Sequence, residues 1–146
     1  MSFVKCLIQL VFLCFICVGS AQQSIVYSNE AVNFQSALAL YNAQQYQSAQ
    51  QLFKYVESNT LDTFLKSNAA YYNANCAVRL NQPNAELLVE SFVEHYPSST
   101  KRNSAYYEVA NYYFQNAKYS YARKWYEKVD RTSISRSNLD SFNFNY

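Results

Sequence analysis

One apolar stripe recurs three times and constrains this chain more than anything else in it. Ala49, Leu52, Phe53 and Val56 stand at i, i+3, i+4 and i+7, the spacing of one face of an α-helix. Ala85, Leu88, Val89 and Phe92 repeat the pattern, and Ala122, Trp125, Tyr126 and Val129 repeat it again. The stripes start 36 and 37 residues apart. A helical pattern recurring at that period predicts stacked helix pairs rather than one closed globule.

Composition agrees with this. The 146 residues have room for one domain and contain one Gly and two Pro. So few turn residues argue against an all-β protein. A Tyr-rich barrel is the lesser alternative, disfavoured by an apolar spacing of three to four instead of two. The predicted fold is therefore all-α.

Charge is uneven along the chain. Between residues 22 and 100, three bases stand against six acids, a balance of −3. Between 101 and 136, eight bases stand against three acids, a balance of +5. The bland reading is two solvated faces. The sharper one is that the basic third repeat meets an acidic partner or the next repeat. A formal net charge of +2 does not by itself imply nucleic acid.

Residues 1–21 read as a secretory signal peptide. Lys5 precedes an apolar run, Leu7–Val18, broken only by Gln9, and Gly19, Ser20 and Ala21 supply small residues for cleavage before Gln22. The run is shorter than the roughly 20 residues that span a bilayer, so membrane association is expected only if the leader stays uncleaved. Neither Cys14 nor Cys17 has the small preceding residues of a lipidation site. Cleavage leaves Cys76 alone, with no partner for an internal disulfide, as a packed core thiol.

Residues 22–30 read as a linker. The predicted helices are about 31–42, 46–56, 62–80, 85–96, 104–116 and 119–129. Asn84 is placed as an N-cap, and Pro97 as a stop. Leu139, Phe142 and Tyr146, at i, i+3 and i+7, suggest a seventh helix beginning. The repeats fall at 31–61, 62–99 and 103–134, with a partial one at 138–146. Bare apolar residues at the tail suggest the N-terminal piece of a longer array.

These residues resemble the tetratricopeptide repeat, a helix–turn–helix unit of 34 residues. The third repeat fits best. Tyr106 stands for the large aromatic of helix A, Val109 and Ala110 for Leu-Gly, and Tyr113 for Tyr. Ala122 and Tyr126 stand for the Ala and aromatic of helix B. The second repeat keeps Ala74, Ala85 and Pro97, departs at Ala70 and at Asn73, where Leu is usual, and fits with a one-residue difference in its turn. The first keeps Ala37, Tyr46, Ala49 and Phe53. The segment from Phe92 to Ser98, followed by a Tyr-rich repeat, is similar to periplasmic members of Gram-negative bacteria.

The resemblance implies a concave groove lined by the A helices. By family position its lining is Tyr41 and Asn42 from the first repeat, Tyr71, Asn75 and Arg79 from the second, and Tyr107, Asn111 and Gln115 from the third. Tyr offers rigid contact area, and Asn pairs with an extended backbone. The bland reading of the tyrosines is packing between repeats. The expected role is a non-enzymatic protein-binding scaffold of the cell envelope, exported to the periplasm or associated with the outer membrane. The alternatives are a structural module of a larger envelope complex and an adaptor preceding a catalytic domain.

No catalytic constellation, metal site or cofactor site is expected. The one histidine, His95, lacks partners in sequence, and Glu86, Glu90 and Glu94 at helical spacing read as a solvated stripe. The only glycine, Gly19, lies in the leader, so no phosphate cradle is expected. Tyr interleaved with basic residues could suggest single-stranded nucleic acid, which an export leader argues against.

Overall fold

A computed structural model describes residues 29–134 together with 142, 143 and 145. The signal peptide read at 1–21, most of the linker, and Leu139 and Tyr146 lie outside the described residues. Those described are helical throughout: α1 (Asn29–Asn42), α2 (Tyr46–Asn59), α3 (Thr63–Arg79), α4 (Ala85–His95), α5 (Arg102–Gln115) and α6 (Tyr119–Tyr126), followed by one 3₁₀ turn at Arg131–Ser133. α1 begins at Asn29, inside the segment read as linker, and α2 runs three residues past Val56.

Each helix packs on its sequence neighbour, and α3 also packs on α1 and α5. The α1–α2 pair is antiparallel, with Phe34 against Phe53 at one level and Tyr41 against Tyr46 at another. Two apolar clusters result. One joins Phe34, Ala37, Ala49, Phe53, Val56, Ala69 and Cys76; the larger runs from Ala70 through Val89 and Val109 to Trp125 and Phe142. Tyr72 packs against both and stacks on Phe53 at 5.1 Å.

α3 is the central helix, and its composition explains why. It buries ten consecutive or near-consecutive positions from Asn68 to Val78, among them Ala69, Ala70, Ala74 and Ala77. Small side chains let neighbours approach from several sides without the strain of overpacking. Asp62 caps this helix, accepting from the Phe64 and Leu65 N–H groups at 2.8 and 3.1 Å. Asn84 occupies the N-cap position of α4 but makes no side-chain cap bond.

The period seen in the stripes is also a backbone period. Gln44, Asn81 and Ala117 have φ of 60°, 51° and 57°, at positions 37 and 36 residues apart. At each one the next N–H reaches back five residues: Gln45 to the Leu40 carbonyl (2.9 Å), Gln82 to Ala77 (3.0 Å) and Lys118 to Tyr113 (2.9 Å). This is the closing bond of a Schellman turn, made without glycine. The outer turns place the stripe alanine five residues after the left-handed one, the middle turn four. That is the one-residue difference read in the second repeat.

α6 ends at Tyr126 rather than Val129. The Lys128 and Val129 N–H groups bond to the Trp125 and Tyr126 carbonyls three residues back (3.1 and 3.0 Å), which tightens the last turn out of α geometry. Val129 stays buried all the same.

Candidate functional site

The A helices α1, α3 and α5 carry the eight residues expected to line a groove, and burial divides them. Tyr71 and Asn75 are each 3% exposed. The Tyr71 hydroxyl donates to Glu108 Oε1 at 2.6 Å and the Asn75 amide to Glu108 Oε2 at 3.1 Å. As folded, these two pack between repeats and do not face a ligand. Glu108, on α5, entered the sequence reading only as a charge. Nothing in its spacing reveals that the next repeat lays it across the Tyr–Asn stripe of the previous one.

Glu108 is an electrostatic hub. Burial first, and its carboxylate second, raise the ionisation of the Tyr41, Tyr71 and Tyr72 hydroxyls above the ordinary tyrosine range. Replacing Glu108 with Ala strands a buried hydroxyl and a buried amide. The expected cost is about 1–3 kcal/mol. A double-mutant cycle with Tyr71→Phe in urea denaturation checks it: the two costs should fall short of additive, and full additivity would refute the coupling.

A contact at the matching place forms on the third pair, with Asn111 accepting where Asn75 donates. Tyr107 packs on Tyr126 and Phe142. Asn111 accepts from the Tyr126 hydroxyl and, at 3.4 Å, from the Asn145 amide. Asn145 thus takes on Asn111 the place that Glu108 takes on Asn75. Phe142 is buried there, whereas bare apolar residues are expected at the tail.

Six of the eight keep some exposure, and Tyr107 and Asn111 are half-buried among them. Asn42 and Gln115 are exposed, and Tyr41 and Arg79 are half-buried. The Arg79 guanidinium lies 6.0 Å from the Tyr46 ring centre and 5.9 Å from that of Tyr112, within cation–π reach. Tyr41 meets Tyr46 edge to face at 5.4 Å. Tyr41, Tyr46, Arg79 and Tyr112 therefore form one half-buried strip across all three helix pairs, at the C-terminal ends of the A helices and the start of α2. Tyr46 and Tyr112 belong to it, although the sequence placed neither in the groove.

The charge asymmetry finds its partner within the chain. Lys124 pairs with Glu86 at 3.5 Å and Lys128 with Glu90 at 2.9 Å. Each pair of partners is spaced i, i+4, so α4 and α6 match in pitch. Tyr113 adds a bond to Glu86 at 3.2 Å. The acidic stripe is thus solvated at Glu94 and paired at Glu86 and Glu90, and the basic helix meets the preceding pair. Exposed pairs of this kind contribute about 0–1 kcal/mol each, so they fix register more than stability.

Cys76 is buried, and burial pushes its thiol up to about 12, which makes it a poor nucleophile. Two buried polar atoms have no hydrogen-bond partner among the described residues: Trp125 Nε1 and Asn73 Oδ1. Among those residues no group of three His, Cys, Asp or Glu could hold a metal ion, and no helix is long and apolar enough to cross a membrane. Comparison with protein-family models, curated proteins and solved structures finds no match to this chain.

Proposed function

We propose that this chain is an exported, tetratricopeptide-type repeat that acts as a non-enzymatic scaffold, holding a protein segment against its A-helix side. The Tyr41–Tyr46–Arg79–Tyr112 strip carries this reading. Tyr and Arg are the side chains that dominate protein interfaces, because they bring large contact area with few torsions to fix. A strip that draws on three pairs suits an extended segment laid across the repeats, with exposed Asn42 and Gln115 at its margins. Export rests on the apolar leader and its small-residue cleavage site.

The test is a photo-cross-linking residue placed at Gln115 in the native cell, with Glu94, exposed on α4, as the control. A discrete adduct is expected at 115 and not at 94. It should disappear in Arg79→Ala with Tyr112→Ala while helical circular dichroism is unchanged. An adduct that survives those substitutions, or none at 115, overturns the reading.

The docking of Phe142 and Asn145 onto α5 and α6 favours a second reading, a structural module whose surfaces stack on further repeats. Under it, a cross-linker at exposed Asn143 captures the next module and Gln115 stays silent.

A further inference from the structure

A recess of about 150 Å³ opens where α2, α3 and α4 meet, lined in part by Glu57, Asn73, Ser91, Phe92, His95 and Tyr96. That is well under the roughly 300 Å³ at which pockets for drug-sized ligands begin. Asn73 is 6% exposed. Its amide donates to Glu57 Oε2 at 3.2 Å, which fixes the orientation of the carboxamide: a flip would turn its oxygen against a carboxylate. The Asn73 Oδ1 is then an acceptor, buried, with no donor among the described residues.

A buried carbonyl left without a donor calls for an explanation. A leucine at this position would leave no polar atom to satisfy. The rest of the lining is rich in acceptors. Glu57 brings a carboxylate, and no lysine or arginine lines the recess. The Glu57 charge, after burial, helps hold the Tyr96 hydroxyl above its ordinary range. His95 Nδ1 lies 2.8 Å from the Ser91 carbonyl, an acceptor, so Nδ1 is the donor in that contact. Phe92 and Tyr96, with ring centres 5.8 Å apart, add aromatic surface.

We infer that this recess binds a guanidinium group, held by Glu57 and by the orphaned Asn73 carbonyl against Phe92 and Tyr96. A guanidinium is planar, permanently charged and carries five N–H donors, so it can serve both oxygens at once and stack on a ring. An ammonium is more strongly hydrated and lacks the fork. The group can come from an arginine side chain of a partner or from a small free guanidine. The site is independent of the Tyr–Arg strip, since Asn73 stands six residues, roughly 240°, around α3 from Arg79, the strip's residue on that helix.

The test is a titration of the full chain with methylguanidinium, followed by the backbone amide resonances of Phe92 and Tyr96, which line the recess in every variant. A saturable shift is expected in the millimolar range, with methylammonium at least tenfold weaker. Glu57→Gln should weaken binding at least tenfold. Asn73→Leu should abolish it while raising Tm, a gain that separates lost binding from lost folding. A glycine-flanked arginine peptide that binds more tightly than methylguanidinium identifies a protein partner as the source; equal affinity identifies a free guanidine. An unsaturable shift, or binding unchanged in Glu57→Gln, overturns the inference and leaves the strip untouched.

Discussion

Trp125→Ala is expected to destabilise the protein by about 3–5 kcal/mol, the range for truncating a fully buried aromatic. Trp125 is 0% exposed. It packs on Tyr106 at 6.0 Å and lies 4.5 Å from the Lys128 ammonium. Its Nε1 finds no acceptor among the described residues, so the loss is one of packing and cavity, not of a hydrogen bond. Trp125→Phe, which removes the unpaired N–H and keeps much of the ring, should therefore cost far less than Trp125→Ala. Total stability of a domain is on the order of 5–15 kcal/mol, so the alanine variant should lose most of its margin. Urea denaturation read by circular dichroism decides it. A cost under about 1 kcal/mol, far below the range for buried aromatics, would show that α6 is not a load-carrying element of the core.

Alkali should unfold this chain through its tyrosines. Tyr41, Tyr71, Tyr72, Tyr96, Tyr113 and Tyr126 all ionise above the ordinary value of 10.0, in each case chiefly because burial penalises the phenolate. Tyr113 is pushed up to about 12, with the Glu86 charge as the second cause. The sign follows from linkage. Below pH 10 these hydroxyls are protonated in both states and contribute no pH dependence. Above it the unfolded chain releases protons that the folded chain retains, so stability falls. The Tyr113 contribution is fully lost only above about 12. Cys76 acts in the same sense from its own ordinary value of 9.0 upward. Helicity and tyrosinate absorbance, followed together against pH, should change in one cooperative step. Smooth titration of the tyrosines near 10 with helicity intact would contradict the burial argument.

The sequence by itself determined the helices and their period. Apolar spacing at i, i+3, i+4 and i+7 is local information, because a helix places those side chains on one face whatever lies opposite. Hence all six helices were legible, with ends shifted by a few residues where final turns tighten or caps intervene. The burial of Ala49, Ala85, Ala110, Ala122, Phe53 and Tyr126 followed from the same pattern. Pro97 stands exposed just beyond α4, as a stop should. The left-handed turns at Gln44, Asn81 and Ala117 were hidden, since none uses the glycine that normally marks such a conformation.

The tertiary structure alone decided which polar residues face solvent and which face another repeat. Tyr71 and Asn75 share a spacing with Tyr107, Asn111 and Gln115, yet that spacing does not reveal that Glu108 covers the first two or that Asn145 reaches Asn111. Residues 33 to 37 positions apart meet only because consecutive pairs stack, and a single-helix pattern carries no information about what the next helix lays over it. The same stacking turned the acidic stripe of α4 into the partner of α6, assembled the Tyr–Arg strip, and buried one asparagine carbonyl, on a residue that lines a recess, with no donor among the described residues.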